Sequence, residues 1–124
     1  MKLRLRENSI RLRLLQNEIK QLKDNGFVTE NIEFAPMQIL TYTINVSKDI
    51  TEIMAEFHVG EILIKIPENK AEQWVNTNTV GLEREQIVEG EKTLKILIEK
   101  DFVCVDRPLD QDNLDAFPHP KIIC

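Results

Sequence analysis

Apolar and charged residues alternate from the first positions of the chain. Leu3 and Leu5 alternate with Lys2, Arg4 and Arg6, and Ile10, Leu12 and Leu14 alternate with Ser9, Arg11 and Arg13. A period of two is that of a half-buried strand, because successive side chains point to opposite faces of a pleated sheet. Glu7-Asn8 separates the two runs, and asparagine tolerates the left-handed conformation of a tight turn. The pattern therefore predicts either a hairpin or one long kinked strand. In the hairpin, the apolar residues face a core while Arg4, Arg6, Arg11 and Arg13 face away from it. The period then changes. Leu15, Ile19 and Leu22 recur at steps of four and three, which predicts a short helix over Gln16–Asn25. Gly26 is placed to end it in the left-handed conformation.

Beyond the helix the strand period returns. Phe27-Val28 and 32–34 form one irregular strand before Pro36. Leu40, Tyr42, Ile44 and Val46 mark a second, Ile53, Ala55 and Phe57 a third, and Ile62, Ile64 and Ile66 a fourth. The last three, joined by short turns, read as an antiparallel meander. Pro67 suits the start of a helix, where its missing N–H costs nothing, and Ala71, Trp74 and Val75 share one face of a helix over 67–76. Strands follow at 80–87 and 93–99 around a turn at Glu89-Gly90, and 102–105 extends the sheet. The tail 108–124 is irregular. No internal repeat and no second domain are expected. The expected fold is α+β: a single domain, 1–124, with a mostly antiparallel sheet of six to eight strands that can curl toward a barrel, covered by two short helices.

Composition adds limits rather than an activity. A chain of 124 residues with 42% apolar and 30% charged positions has the make-up of one ordinary globular domain. Its apolar runs are too short to span a bilayer, and the alternating start lacks the apolar core of a signal peptide. Cys104 and Cys124 form no paired spacing, so a cytoplasmic protein with reduced thiols is expected. The net charge of −5 is not that of a strongly basic nucleic-acid binder. The charge is uneven, however. Residues 1–24 hold seven cations and three anions, a surplus of +4, whereas the remaining hundred hold nine and eighteen, a deficit of −9.

That asymmetry makes Arg4, Arg6, Arg11 and Arg13 the first candidate binding residues, on one side of a two-stranded ribbon that can lie on an anionic partner. The competing role is ion pairing with the acidic body. No aromatic residue interleaves with them, so stacking on single-stranded bases lacks its base-contacting part. Other chemistry is weaker. Asp110, Asp112 and Asp115 crowd together without the glycine and terminal glutamate of a calcium loop. His58, His119, Cys104 and Cys124 lack the spacing of a zinc site. Cys104 and His119, with Asp101 or Asp106 orienting the imidazole, are the residues a small enzyme would use, but a cysteine within Phe102-Val103-Cys104-Val105 reads as a buried hydrophobe. The single glycines 26, 60, 81 and 90 form no phosphate loop. Trp74 is either a core residue or an interface anchor, and its apolar neighbours favour the core. No cofactor or metal is expected. The reading that results is a non-enzymatic binding or interaction module, with an enzyme and a DNA-binding regulator as alternatives.

The stretch 1–14, together with Glu99-Lys100-Asp101-Phe102-Val103-Cys104 and Asp115-Ala116-Phe117-Pro118-His119-Pro120, resembles a family of small uncharacterised bacterial proteins along essentially the whole chain. Its members commonly carry glycine where this chain has Glu7. The family has no assigned activity, so the resemblance implies a single-domain bacterial protein and no functional residue. The basic alternating strand followed by a short helix is also similar to the swapped-hairpin DNA-binding domains of bacterial transition-state regulators and antitoxins, an analogy of pattern alone.

Overall fold

The computed structural model describes residues 1–102 together with Asp115 and Phe117. The elements are β1 (Lys2–Arg6), β2 (Ser9–Leu14), α1 (Gln16–Asn25), β3 (Phe27–Ala35), β4 (Gln38–Ser47), β5 (Met54–His58), β6 (Glu61–Pro67), α2 (Glu68–Asn76), β7 (Gly81–Glu89) and β8 (Lys92–Lys100). The fold is α+β, and among the described residues the strands form two four-stranded sheets of order β1-β2-β8-β7 and β3-β4-β6-β5, with no closed barrel. Each outer pair is antiparallel, while the central pairs, β2 with β8 and β4 with β6, are parallel. The expected meander is therefore replaced. β4 pairs with β6 rather than with β5, because the chain between β4 and β5 crosses to the far edge of the sheet instead of turning back as a hairpin.

The two sheets are built alike. Every pairing in β1–β2 recurs in β5–β6 with both residues shifted by 52: Lys2↔Arg13 becomes Met54↔Lys65, and Arg6↔Ser9 becomes His58↔Glu61. Every pairing in β3–β4 recurs in β7–β8 shifted by 54, from Phe27↔Asn45 and Gly81↔Glu99 to Ala35↔Gln38 and Glu89↔Lys92, and the bulges at Phe34 and Val88 coincide. The two extra residues lie in the connection from α2 to β7. The parallel pairings obey the same shifts, since Ser9↔Lys95 corresponds to Glu61↔Thr41. The chain is thus two β-β-α-β-β units, each giving one hairpin to either sheet.

The core follows from this repeat. Ile10, Leu12 and Leu14 of β2 align with Ile62, Ile64 and Ile66 of β6, and Ile19 and Leu22 of α1 with Ala71 and Trp74 of α2. All of these are buried except Ile10, which is half-buried against the cluster. Trp74 is fully buried and its indole N–H donates to the Val80 carbonyl at 3.1 Å, so the core reading is the right one. β1–β2 is a hairpin whose Glu7 takes φ 52, a left-handed backbone that strains a side-chain-bearing residue. Leu12 and Leu14 are buried and Leu3 is half-buried, as the alternation requires. Leu5, expected in the core, is 58% exposed. It sits two residues from the turn on the edge strand β1. Gly26, at φ 82, ends α1, and its N–H caps the Leu22 carbonyl at 2.9 Å. Gly81 is required by close approach, since a Cβ there would lie 2.6 Å from the Ile98 carbonyl oxygen.

Where the repeats diverge, they invert charge. In the first, the Met1 α-ammonium donates to Glu18 and Glu30, and the Tyr42 hydroxyl donates to Glu30 at 3.0 Å and to the Met1 carbonyl at 3.2 Å. Met1, Glu18 and Glu30 correspond to Ile53, Lys70 and Arg84. There, Arg84 donates to the Ile53 carbonyl, and the carboxylate of Glu52 lies 3.5 Å from Lys70 and 4.0 Å from Arg84. The same corner of the fold is held by two acids around a cation in one repeat and by two cations around an acid in the other.

Candidate functional site

The pleat of β1 and β2 places Lys2, Arg4, Arg6, Arg11 and Arg13 on the solvent side of their sheet, as the alternation predicts. β8 continues this face with Lys95, Leu97 and Glu99, and β7 with Glu83 and Glu85. The hairpin is anchored to its neighbour at the turn. The Asn8 side-chain amide donates to the Thr93 carbonyl at 2.6 Å, the Lys95 N–H to the Asn8 carbonyl at 3.0 Å, and the Ser9 hydroxyl to the Arg6 carbonyl at 2.6 Å.

A depression of about 210 Å³ at the β7 side of this face is lined by Glu83, Arg84, Glu85 and Lys95, and two more are built around the arginines. One of about 200 Å³ is lined by Arg4, Arg6, Ser9, Ile10, Arg11, Lys95 and Leu97. The other, of about 160 Å³, is lined by Lys2, Arg4, Arg11 and Arg13. They share Arg4 and Arg11, which are directly opposite in the register. Lys2 is likewise opposite Arg13. Like charges set directly across a strand pair destabilise a sheet. Part of the repulsion is relieved. Arg11 meets Glu99 at 2.5 Å, Arg13 meets the same oxygen at 3.6 Å, and Lys2 meets the buried Asp101 at 2.8 Å. Arg4, Arg6 and Lys95 form no ion pair among the described residues. Of the six cations on this face, Lys2, Arg11 and Arg13 are ion-paired and Arg4, Arg6 and Lys95 are not, among the described residues.

The second repeat provides an internal comparison. The positions of Lys2, Arg4, Arg6, Arg11 and Arg13 are held there by Met54, Glu56, His58, Leu63 and Lys65, and Glu56 pairs with Lys65 at 3.0 Å. The same hairpin, on the same scaffold, is built with complementary or neutral neighbours. Sequence reasoning found the arginines but missed Lys95, whose membership depends on the parallel pairing of β2 with β8.

The remaining candidates separate from this face. Cys104, Asp106, Asp110, Asp112, His119 and Cys124 lie outside the described residues. Asp101 is buried, paired with Lys2, and tied through its backbone to Leu14 and Phe117. Among the described residues no group of three or more His, Cys, Asp or Glu is arranged to hold a metal ion. No described helix is long and apolar enough to cross a membrane.

A two-sheet α+β domain, made of two β-β-α-β-β units and carrying one basic sheet face, is the class that fold and site define. Residues 1–121 match a family of unknown function, DUF7009, and the chain belongs to that family. No curated protein matches, and no solved structure matches.

Proposed function

We propose that the protein is a binding module that takes an anionic partner on the face of Arg4, Arg6, Arg11, Arg13 and Lys95. The observation that carries this reading is the opposed pairs Arg4↔Arg11 and Lys2↔Arg13. They work against the sheet, and the fold does not need them, because the second repeat forms the same hairpin without them. Arginine suits the role because its planar guanidinium fork meets oxyanions with two parallel hydrogen bonds.

Retention on immobilised heparin tests it. The double variant R4Q/R6Q is expected to elute at clearly lower salt than the parent. K20Q/K23Q, which removes the same net charge from exposed positions of α1, is expected to elute with the parent. Equal behaviour of the two variants would mean that total charge, not this face, governs binding, and the proposal would fail.

A further inference from the structure

We infer that the anion recognised by this face is the phosphate backbone of a nucleic-acid duplex, an inference that rests on the anion-binding reading above. The cations form rows. Lys2 lies across from Arg13, Arg4 from Arg11, and Arg6 from Ser9, which Lys95 adjoins on β8. Successive rows are two residues apart along the strands, about 6.7 Å at the rise of a β-strand. That is close to the separation of consecutive phosphates along one nucleic-acid strand. Each of the two depressions built around the arginines spans neighbouring rows and both contain Arg4 and Arg11, so adjacent phosphates can share the central pair of guanidinium groups.

Single strands and bilayer surfaces fit less well. No described aromatic residue stands on the outer positions of β1, β2, β8 or β7, so unpaired bases have nothing to stack on. A bilayer surface calls for apolar anchors beside the cations. On this face the apolar member among the outward positions of β8 is Leu97, which is half-buried. Of the well-exposed apolar residues, Phe34, Met37, Phe57 and Val59 lie on the other sheet, at hairpin ends beside Glu33 and Glu61, and Ile87, 72% exposed on this face, stands on β7 at the opposite edge of the sheet from β1. An extended acidic protein segment repeats at the same interval, and polyglutamate is therefore the competitor the experiment includes. Contacts confined to the backbone carry no sequence information, so binding is expected to be independent of sequence.

The experiment is fluorescence anisotropy of the full chain against a labelled DNA duplex of about 20 base pairs and mixed sequence, repeated across a salt series. With four to six phosphates engaged, affinity is expected to fall roughly 10²–10³-fold between about 50 and about 200 mM salt. R4Q/R6Q is expected to reduce the slope of log affinity on log salt by about two. Two duplexes of unrelated sequence are expected to bind alike, and polyglutamate, phosphatidylserine vesicles and the isolated single strand to bind more weakly. Failure to bind duplex at low salt, with arginine-dependent heparin retention preserved, overturns this inference and leaves the anion-binding reading standing. Equal or tighter binding of polyglutamate, vesicles or single strand also overturns it. Loss of arginine-dependent heparin retention as well removes the reading beneath it.

Discussion

Replacing Trp74 with alanine is expected to cost about 3–5 kcal/mol, the range for truncating a large buried aromatic side chain. The indole is fully buried between α2 and the sheets, and its N–H holds the Val80 carbonyl in the connection that carries the repeat's two extra residues. Alanine removes both the packing and that hydrogen bond. Phenylalanine keeps most of the volume and loses the hydrogen bond, so Trp74→Phe is expected to cost about 1–2 kcal/mol. Urea denaturation followed by far-ultraviolet circular dichroism measures both. A loss below about 1 kcal/mol for Trp74→Ala would place this side chain outside the core.

The second large effect concerns the acidic corner around Met1. Glu18→Gln is expected to cost about 3 kcal/mol, because it leaves a buried ammonium short of a charged partner. Glu18 is 7% exposed and also accepts the Leu15 N–H at 2.9 Å, so the change loosens the start of α1 as well. Glu30→Gln is expected to cost less, since that side chain is 37% exposed. The corner also sets the alkaline limit of stability. Burial alone would lower the α-ammonium pKa of Met1, but the hydrogen bonds and charges of Glu18 and Glu30 outweigh it and hold the group above its ordinary 8.0. A folded value raised in this way contributes stability that is complete below about pH 8 and is lost as the pH rises through the folded value. Tyr42 acts in the same direction. Burial, then the hydrogen bond and charge of Glu30, push its hydroxyl up to about 12. Its contribution is complete below the ordinary 10.0 and disappears toward 12. At the acid end the two carboxyls oppose each other. Burial raises Glu18, whereas for Glu30 the ammonium and its neighbours overcome burial and lower it. Stability is therefore expected to decline from pH 8 upward, and Glu30→Gln to flatten that decline. A Glu30→Gln profile parallel to the parent's would contradict this account.

Much of the local structure is legible in the sequence. The alternation of Leu12 and Leu14 with Arg11 and Arg13 fixes which face of β2 is buried, since a slip of one residue would bury charge. Leu15, Ile19, Leu22 and Gly26 give α1 its limits. Strand neighbours are another matter. Nothing in the alternation of Tyr42, Ile44 and Val46 says whether the next strand pairs with it parallel or antiparallel, so the pattern suggests a meander where the structure has the parallel pair β4–β6. The internal repeat is hidden for a related reason. It preserves spacing rather than identity: Ile10, Leu12, Leu14, Ile19 and Leu22 recur as Ile62, Ile64, Ile66, Ala71 and Trp74, while most charges around them change sign or vanish, Arg13 and Lys65 being an exception. A comparison of the apolar pattern with itself at a shift of 52 contains the signal. The basic face was visible as four arginines. That it opposes its own sheet is visible only once Arg4 lies across from Arg11 and the second hairpin can be set beside the first.

The most direct measurement is the melting temperature of R4E/R6H, which gives the first hairpin the residues of its counterparts Glu56 and His58. If the arginines serve a partner at the expense of the fold, turning the opposed Arg4–Arg11 pair into Glu–Arg relieves repulsion by roughly 0.2–1 kcal/mol. The melting temperature should then hold or rise by a few degrees. A fall of several degrees would show that Arg4 and Arg6 support the fold itself, and it would contradict the assignment of this face to a partner.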